Sequence, residues 1–121
     1  MRIRKRPAFQ IMSVASQPFG KVQSPTLDLL AYESGIIHLV VTLGSTGIEQ
    51  YGSSDNITFG ILVDSLGVLQ DTEVGSPGGF GPGRYAIQVT RPSPRYFKVQ
   101  LDVLNTLTAT VFFEGTKRSI P

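Results

Sequence analysis

Apolar and polar residues alternate with a period of two through most of the last third of the chain. Three runs there place apolar side chains at every second position, a pattern typical of β-strands with one buried and one solvated face. The apolar positions are Tyr85, Ile87 and Val89, then Phe97, Val99, Leu101 and Val103, then Leu107, Ala109, Val111 and Phe113. The pattern predicts three half-buried strands in succession.

The short segments between these runs predict how the strands connect. Only Asn105 and Thr106 separate the second run from the third, which predicts a tight β-hairpin. Residues 91–95, Arg-Pro-Ser-Pro-Arg, contain two prolines that remove backbone donors, so one strand ends there before the next begins. We therefore expect the three strands to be consecutive and antiparallel.

Four further apolar runs lie upstream, separated by clusters of Gly, Ser, Asn and Asp. They cover residues 8–14, 36–43, 57–64 and 68–74. The nearly continuous run 36–43 suggests a central strand covered on both faces. Seven or eight short strands at such spacings indicate a sandwich or a barrel.

The segment after Ser24 has two interpretations. Ser24 and Pro25 could cap and open a short helix that stops at Gly35. Leu27 and Leu29 fit an edge strand almost as well. The predicted fold is all-β, an antiparallel two-sheet sandwich resembling a jelly roll, with an extended N-terminal arm and at most one short helix.

Charge is sorted by position along the 121 residues. Residues 1–21 carry five Lys/Arg and no acid, residues 22–83 carry seven Asp/Glu and no Lys/Arg, and residues 84–121 carry six Lys/Arg against two acids. Separated fields of opposite sign favour docking between copies or onto a charged partner. Cysteine is absent, so neither disulfides nor thiolate metal sites can form.

The first 25 residues differ in composition from the rest. They combine a basic cluster with three prolines and a few apolar residues, which predicts an extended arm on residues 1–25 and a β-sandwich domain on residues 26–121. The alternative is that Ala8 to Val14 form the first strand. No aromatic residues alternate with the basic ones, and the chain beyond residue 6 has more acids than bases, which disfavours nucleic acid as the partner.

Several residue types that often act in catalysis or bind metal ions occur here without the neighbouring groups that such sites need. His38, the single histidine, lies in the most apolar run with no predicted ligand or triad partner beside it. Asp64, Asp71 and Glu73 lack the spacing of a calcium loop. Asn56 begins an Asn-Ile-Thr glycosylation pattern, which is common by chance. We expect no enzyme, no cofactor and no metal.

The glycine-rich segment 75–83 is unusual in composition. It has no Gly-Lys-Ser/Thr ending and no helix after it, which excludes a phosphate-binding P-loop. Its Phe80, at the tip of a glycine-rich loop, could anchor in a pocket of a partner. The residues expected to contact a partner are Arg2, Arg4, Lys5, Arg6, Phe9, Ile11, Phe19 and Phe80.

Three strand sequences together resemble a known family. They are Gly-Arg-Tyr-Ala-Ile-Gln-Val at 83–89, Pro-Arg-Tyr-Phe-Lys-Val-Gln-Leu at 94–101 and the closing Thr-Ala-Thr-Val-Phe-Phe at 108–113. Over residues 36–118 the pattern resembles the small jelly-roll decoration, or cement, proteins of tailed-bacteriophage capsids. It consists of strand starts and contains no invariant chemical motif.

The resemblance implies a virion structural protein without enzymatic activity. Such a protein would bind the major capsid protein and copies of itself, as a homotrimer, and would bridge capsomers on the capsid exterior after assembly in the host cytoplasm. It would have no small-molecule substrate and no membrane contact. The basic N-terminal segment leaves open a role at the head-to-tail neck or as a minor virion protein, and a carbohydrate-binding module is the other alternative.

Overall fold

The structure is a computed structural model that describes residues 8–61, 80–89 and 94–117. These residues form seven β-strands and no helix. The strands are β1 Phe9–Gln17, β2 Gly20–Gln23, β3 Leu27–Asp28, β4 Tyr32–Ser53, β5 Gly60–Ile61, β6 Gly83–Gln88 and β7 Tyr96–Lys117. The predicted all-β antiparallel class is confirmed.

The two longest strands form the centre of a single antiparallel sheet. β4 and β7 each have 22 residues and pair from Tyr32 opposite Lys117 to Ser53 opposite Tyr96. β1, β2 and β3 follow one another along the other edge of β7, and β6 and β5 pair with the other edge of β4. We call each row of strands in this sheet a ribbon. Two ribbons, β4 and β7, are continuous, and two, β1–β2–β3 and β5–β6, are interrupted.

Both long strands bend sharply near their middle, so that the sheet folds over itself. The side-chain amide of Gln50 donates a 3.1 Å hydrogen bond to the backbone carbonyl of Gln88, whose register partner on β4 is Ile36. If β4 were straight, the fourteen residues from Ile36 to Gln50 would span about 45 Å. The contact is possible only because β4 turns back on itself.

The connection between β3 and β4 gives independent evidence for the fold-over. β3 pairs with Tyr96 at one end of β7, and β4 begins four residues after β3, opposite Lys117 at the other end. A β-turn closed by a 2.9 Å hydrogen bond from the Tyr32 amide to the Leu29 carbonyl makes this connection. The two ends of β7 must therefore lie close together.

The fold-over divides the sheet into two layers. The first layer contains β1, β6, residues 32–43 of β4 and residues 107–117 of β7; the second contains β2, β3, β5, residues 46–53 of β4 and residues 96–103 of β7. We call the bend between them the corner, formed by residues 17–20, 43–45 and 104–106 on three adjacent ribbons. The sandwich is thus one sheet with a corner.

The corner is stabilised by a glycine and an asparagine on facing strands. Gly44 has φ +82°, and a Cβ at this position would collide with the carbonyl oxygen of Thr106. The side-chain oxygen of Asn105 accepts a 2.7 Å hydrogen bond from the Ser45 amide. Bulges of this kind bend a strand and increase its twist.

Alternate side chains of both layers fill the space between them. Each ribbon contributes apolar residues that are almost fully buried. They are Ile37, Leu39, Val41 and Ile48 on β4, Phe97, Val99, Leu101, Val103, Leu107, Ala109, Val111 and Phe113 on β7, Ile11 and Met12 on β1, Leu29 directly after β3 and Val89 directly after β6. The strong period-two runs of the sequence are therefore the inner faces of the layers.

The predicted hairpin at Asn105 and Thr106 is wrong. β7 continues through these residues, and the two apolar runs belong to one bent strand. The polar pair breaks the alternation because the strand bulges there. β6 and β7 follow each other in the chain but do not pair, because they lie on opposite edges of β4.

Two smaller expectations are corrected as well. The helix beginning at Ser24 is absent, since Ser24 pairs with Val99 of β7 through its amide at 2.8 Å and its hydroxyl at 2.9 Å. The segment 36–43 is not covered on both faces, because Ile36, His38 and Val40 remain partly exposed on the outer face.

Residues 9–17 and 20–23 lie in the sheet, so the prediction that they belong to an extended arm is wrong. β1 and β2 pair with β7, and Ile11 and Met12 are buried in the core. The alternative interpretation, that Ala8 to Val14 form the first strand, agrees with this pairing. The basic cluster Arg2, Arg4, Lys5 and Arg6 lies outside the described residues.

Candidate contact surfaces

Apart from Phe80, the residues predicted to contact a partner fall into three groups. Arg2, Arg4, Lys5 and Arg6 lie outside the described residues. Ile11 is 8% exposed and belongs to the core, so it is not available to a partner. Phe9 and Phe19 are 44% and 78% exposed and stay available.

Phe80 does not project from a loop tip as predicted. Its backbone pairs with Thr46 through two hydrogen bonds of 3.0 and 2.8 Å. Its ring packs against Tyr85, with the ring centroids 4.3 Å apart, and is partly buried against the core. The residue is an internal packing contact because the chain pairs with Thr46 beside the corner before β6 begins opposite Val41.

The corner carries three exposed apolar side chains, of which sequence analysis identified Phe19 and missed Leu43 and Leu104. Phe19, Leu43 and Leu104 lie on three adjacent ribbons, and their exposed fractions are 78%, 52% and 37%. The register places Phe19 beside Leu104, because the next residue, Gly20, pairs with Val103. A bend exposes side chains on its convex side, and a strand pattern read residue by residue does not reveal a bend.

A polar network covers the outer face of the second layer. Gln100 accepts a 2.9 Å hydrogen bond from the amide of Gln23 and donates one of 3.0 Å to Asp102. The Tyr51 hydroxyl donates to Glu49 at 3.4 Å. Partial burial, followed by the charges of Glu49 and Asp102, raises the pKa of Tyr51 above its usual range. The hydroxyl therefore stays protonated and available as a donor.

Two aromatic side chains flank this network. Tyr96 shares the outer face with Tyr51, since its register partner Ser53 is two residues from Tyr51 on β4. The guanidinium of Arg95 lies 5.0 Å from the Tyr96 ring centroid. The Lys98 ammonium lies 4.3 Å from the ring centroid of Phe59. Cations over aromatic faces restrict both partners.

His38 lies on the outer face of the first layer, where it is partly exposed. Its Nε2 lies 2.9 Å from Oε1 of Glu114 on β7. A shallow groove of about 290 Å³ runs beside the pair, lined by Ser34, Gly35, Ile36, Ala86 and Gln88. No hydrogen bond joins Ser34 to the pair in the described residues. The pairing of His38 with Glu114 could not be foreseen, because it depends on the β4–β7 register.

An Asp-capped loop follows β4 and presents the most exposed large apolar residue of the described chain. The carboxylate of Asp55 accepts hydrogen bonds from the Ile57 amide at 2.9 Å, the Thr58 amide at 3.0 Å and the Ser53 hydroxyl at 2.8 Å. Ile57 is 83% exposed. These bonds hold the loop in one conformation, so Ile57 is displayed on an ordered turn.

The same bonds predict an unusual acid titration for Asp55. The amides of Thr58 and Ile57, and then the Ser53 hydroxyl, lower the pKa of Asp55 to about 2. A lowered pKa means that the loop contacts persist down to acid pH and are lost only as pH falls through about 2. Titration of the Ile57 and Thr58 amide signals by NMR should show this midpoint. A midpoint near 4 would contradict the bonding.

The described part of the chain offers neither a cluster of metal ligands nor a membrane-spanning helix. No group of three or more His, Asp or Glu residues there could hold a metal ion. Asp64, Asp71 and Glu73, considered for calcium, lie outside the described residues. Among the residues of known placement there is no helix long and apolar enough to cross a membrane.

Comparison of the chain with protein-family models, with curated proteins and with solved structures found no match. The contact surfaces must therefore be interpreted from their own chemistry.

Proposed function

We propose that the chain is a non-enzymatic contact module that binds other proteins through exposed apolar side chains on a rigid β-scaffold. The observation that carries the proposal is the group Phe19, Leu43 and Leu104 at the corner. Single exposed apolar residues are normal on a protein surface, but three on adjacent ribbons favour a contact site.

The charged groups support a binding role over a catalytic one. His38 and Arg95 each pair with a carboxylate, Glu114 at 2.9 Å and Asp28 at 3.4 Å. In the described residues no nucleophile lies within hydrogen-bond distance of the His38 imidazole. General base catalysis of nucleophilic attack needs such a contact, directly or through one water.

Within this class we favour a virion decoration protein that binds a capsid and copies of itself. The support is the resemblance of the strand sequences around Arg84 and Tyr96, together with the sorted charges of the chain. A module that cements a shell needs a stiff body and contacts on more than one side. The corner and the Ile57 loop supply two such places.

Copurification tests the decoration role. Particles purified from the source of the chain should contain it in a fixed ratio to the main shell protein, by quantitative mass spectrometry. Washing with concentrated salt should release it, because charge-assisted contacts weaken as the Debye length shortens. A chain found only in the unassembled fraction would show that the decoration role is wrong.

One observation favours carbohydrate binding as a second candidate. Tyr51 and Tyr96 share an outer face with the side-chain amides and carboxylates of Gln23, Gln100 and Glu49. Sugars bind flat faces of this kind by stacking on aromatic rings and by hydrogen bonds to their hydroxyls.

Affinity electrophoresis in gels that contain soluble starch, xylan or β-glucan tests this candidate. A carbohydrate-binding chain would be retarded in at least one gel, and Tyr51→Ala would restore its mobility. Phe112→Ala, which alters a partly exposed aromatic residue of the other layer, is the matched control. Unchanged mobility of the wild-type chain in all three gels would eliminate these glycans as ligands.

A further inference from the structure

The outer face of the first layer carries an apolar patch around His38. Ile36 and Val40 lie two residues before and two residues after His38 on β4. On the neighbouring strands His38 lies opposite Phe112 of β7 and Ala86 of β6. Ile36 is 38% exposed, and the other three apolar side chains are exposed or partly exposed. The solvated face of an antiparallel sheet is usually polar, so four apolar neighbours there indicate a contact surface.

Two groups of opposite charge lie at opposite corners of this patch. Glu114 on β7 is level with Ile36, and Arg84 on β6 is level with Val40. The Glu114 carboxylate contacts His38 through Oε1 at 2.9 Å, so its Oε2 can accept from a second donor. No acidic side chain of the described residues forms an ion pair with Arg84. Each charged group therefore has bonding capacity left for a partner.

The positions of these charges are self-complementary. Consider a two-fold axis that passes over His38, lies in the plane of the face and crosses the line from Glu114 to Arg84 at a right angle. When two copies meet face to face about this axis, Glu114 of each copy lies over Arg84 of the other. A two-fold interface uses the same patch on both copies, so one Glu and one Arg supply two ion pairs.

The same axis brings the apolar side chains together. Strands lie about 4.8 Å apart, and alternate residues of a strand lie about 6.8 Å apart. With these spacings, Phe112 of each copy lies over Val40 of the other. Ile36 of each copy likewise lies over Ala86 of the other. Charge pairing and apolar burial are thus satisfied in one orientation.

We propose that two copies of the chain pack the outer faces of their first layers against each other about this axis. Their strands cross steeply, as in orthogonal packing of sheets. The inference rests on the proposed contact function and names a second copy as one of its partners. The trimer expected from the sequence stays untested, and the oligomer measured in solution decides between the two states.

Reversing the charges one at a time tests the pairing. In Arg84→Glu, carboxylates face each other at both ends of the interface, and in Glu114→Arg, guanidinium groups do so. Each variant alone should dimerise at least about tenfold more weakly than the wild-type chain in sedimentation equilibrium, because like charges meet twice. An equimolar mixture of the two variants should recover the dimer, since every carboxylate then faces a guanidinium.

Lys21→Glu is the matched control for the charge reversals. It makes the same change of charge on β2, in the second layer, and should leave the dimer unchanged. Circular dichroism spectra identical to that of the wild-type chain would show that the three variants keep the fold.

Chemical cross-linking gives a second test, because the chain has no cysteine of its own. In the proposed dimer the two residues at position 38 face each other at the axis. Stacked sheets lie about 10 Å apart, which is beyond the reach of a disulfide, so a short bismaleimide linker should join two copies of His38→Cys in high yield. Gln23→Cys, exposed on the outer face of the second layer, is the matched control and should stay monomeric on a denaturing gel.

Four results would overturn the inference. They are a wild-type chain that stays monomeric at its highest soluble concentration, a trimer, charge-reversed variants that assemble no better together than apart, and equal cross-linking of His38→Cys and Gln23→Cys. If the chain is monomeric yet copurifies with particles, the dimer is wrong and the proposed function stands. If it is dimeric but absent from particles, the decoration role is wrong and the dimer stands.

Discussion

Replacing Gly44 with alanine should destabilise the protein by about 2–4 kcal/mol, because the new side chain meets two penalties at once. The backbone at Gly44 has φ +82°, which residues with a Cβ rarely adopt, and the added carbon would collide with the Thr106 carbonyl oxygen. Urea unfolding followed by circular dichroism measures the change.

Gly60→Ala is the matched control for this experiment. An added Cβ at Gly60 meets no atom within 4 Å, and its φ is not in the left-handed region. Its free energy of unfolding should therefore change by less than about 0.5 kcal/mol. If both variants lost stability equally, the corner would not depend on the special conformation of Gly44.

Truncating Phe113 should destabilise the core strongly. Its side chain is fully buried, and its ring makes edge contacts with Phe9 and Tyr32 at centroid distances of 5.6 and 5.2 Å. Phe113→Ala should lower the free energy of unfolding by about 3–5 kcal/mol, since it removes these contacts and leaves a cavity.

The neighbouring phenylalanine supplies the control for Phe113. Phe112 points to the outer face of the first layer and is partly exposed, so Phe112→Ala should cost clearly less in the same urea titration. Equal losses from the two substitutions would mean that β7 does not present Phe113 to the core.

The strand positions of the second half could be predicted because burial imposes a period of two. Val99, Leu101 and Val111, expected to point inward, are all fully buried. The connection at Asn105 could not be predicted, since a two-residue turn and a bulged corner both interrupt the alternation with short polar residues. The turn and the bulged corner differ in the partner strand. At the corner, Gly44 on β4 has a positive φ and the Ser45 amide donates a hydrogen bond to Asn105.

The first 25 residues show a second limit of sequence reasoning. Their charges and prolines suggested an arm, yet Ile11 and Met12 are buried and β1 pairs with β7. Composition averages over a segment, whereas a strand needs only a few inward positions and a partner with a free edge.

The contact residues could be predicted only in part, because exposure depends on how distant strands pair. Phe9 and Phe19 were identified from the sequence and are exposed, whereas Leu43 and Leu104 gain their significance from the corner. Phe80 was expected at a surface and is partly buried, because the chain returns to pair with Thr46. Exposure at a loop tip depends on where the loop returns, which depends on long-range pairing.

The fold-over of β4 underlies every surface described above, and a distance measurement tests it directly. Spin labels attached to Glu33→Cys and Ser54→Cys, both exposed positions at the two ends of β4, report its end-to-end distance. If β4 bends at Gly44, pulsed electron paramagnetic resonance should give a single distance below about 30 Å, since stacked layers lie about 10 Å apart. A distance near 70 Å, the length of an extended strand of this size, would contradict the fold-over and the corner with it.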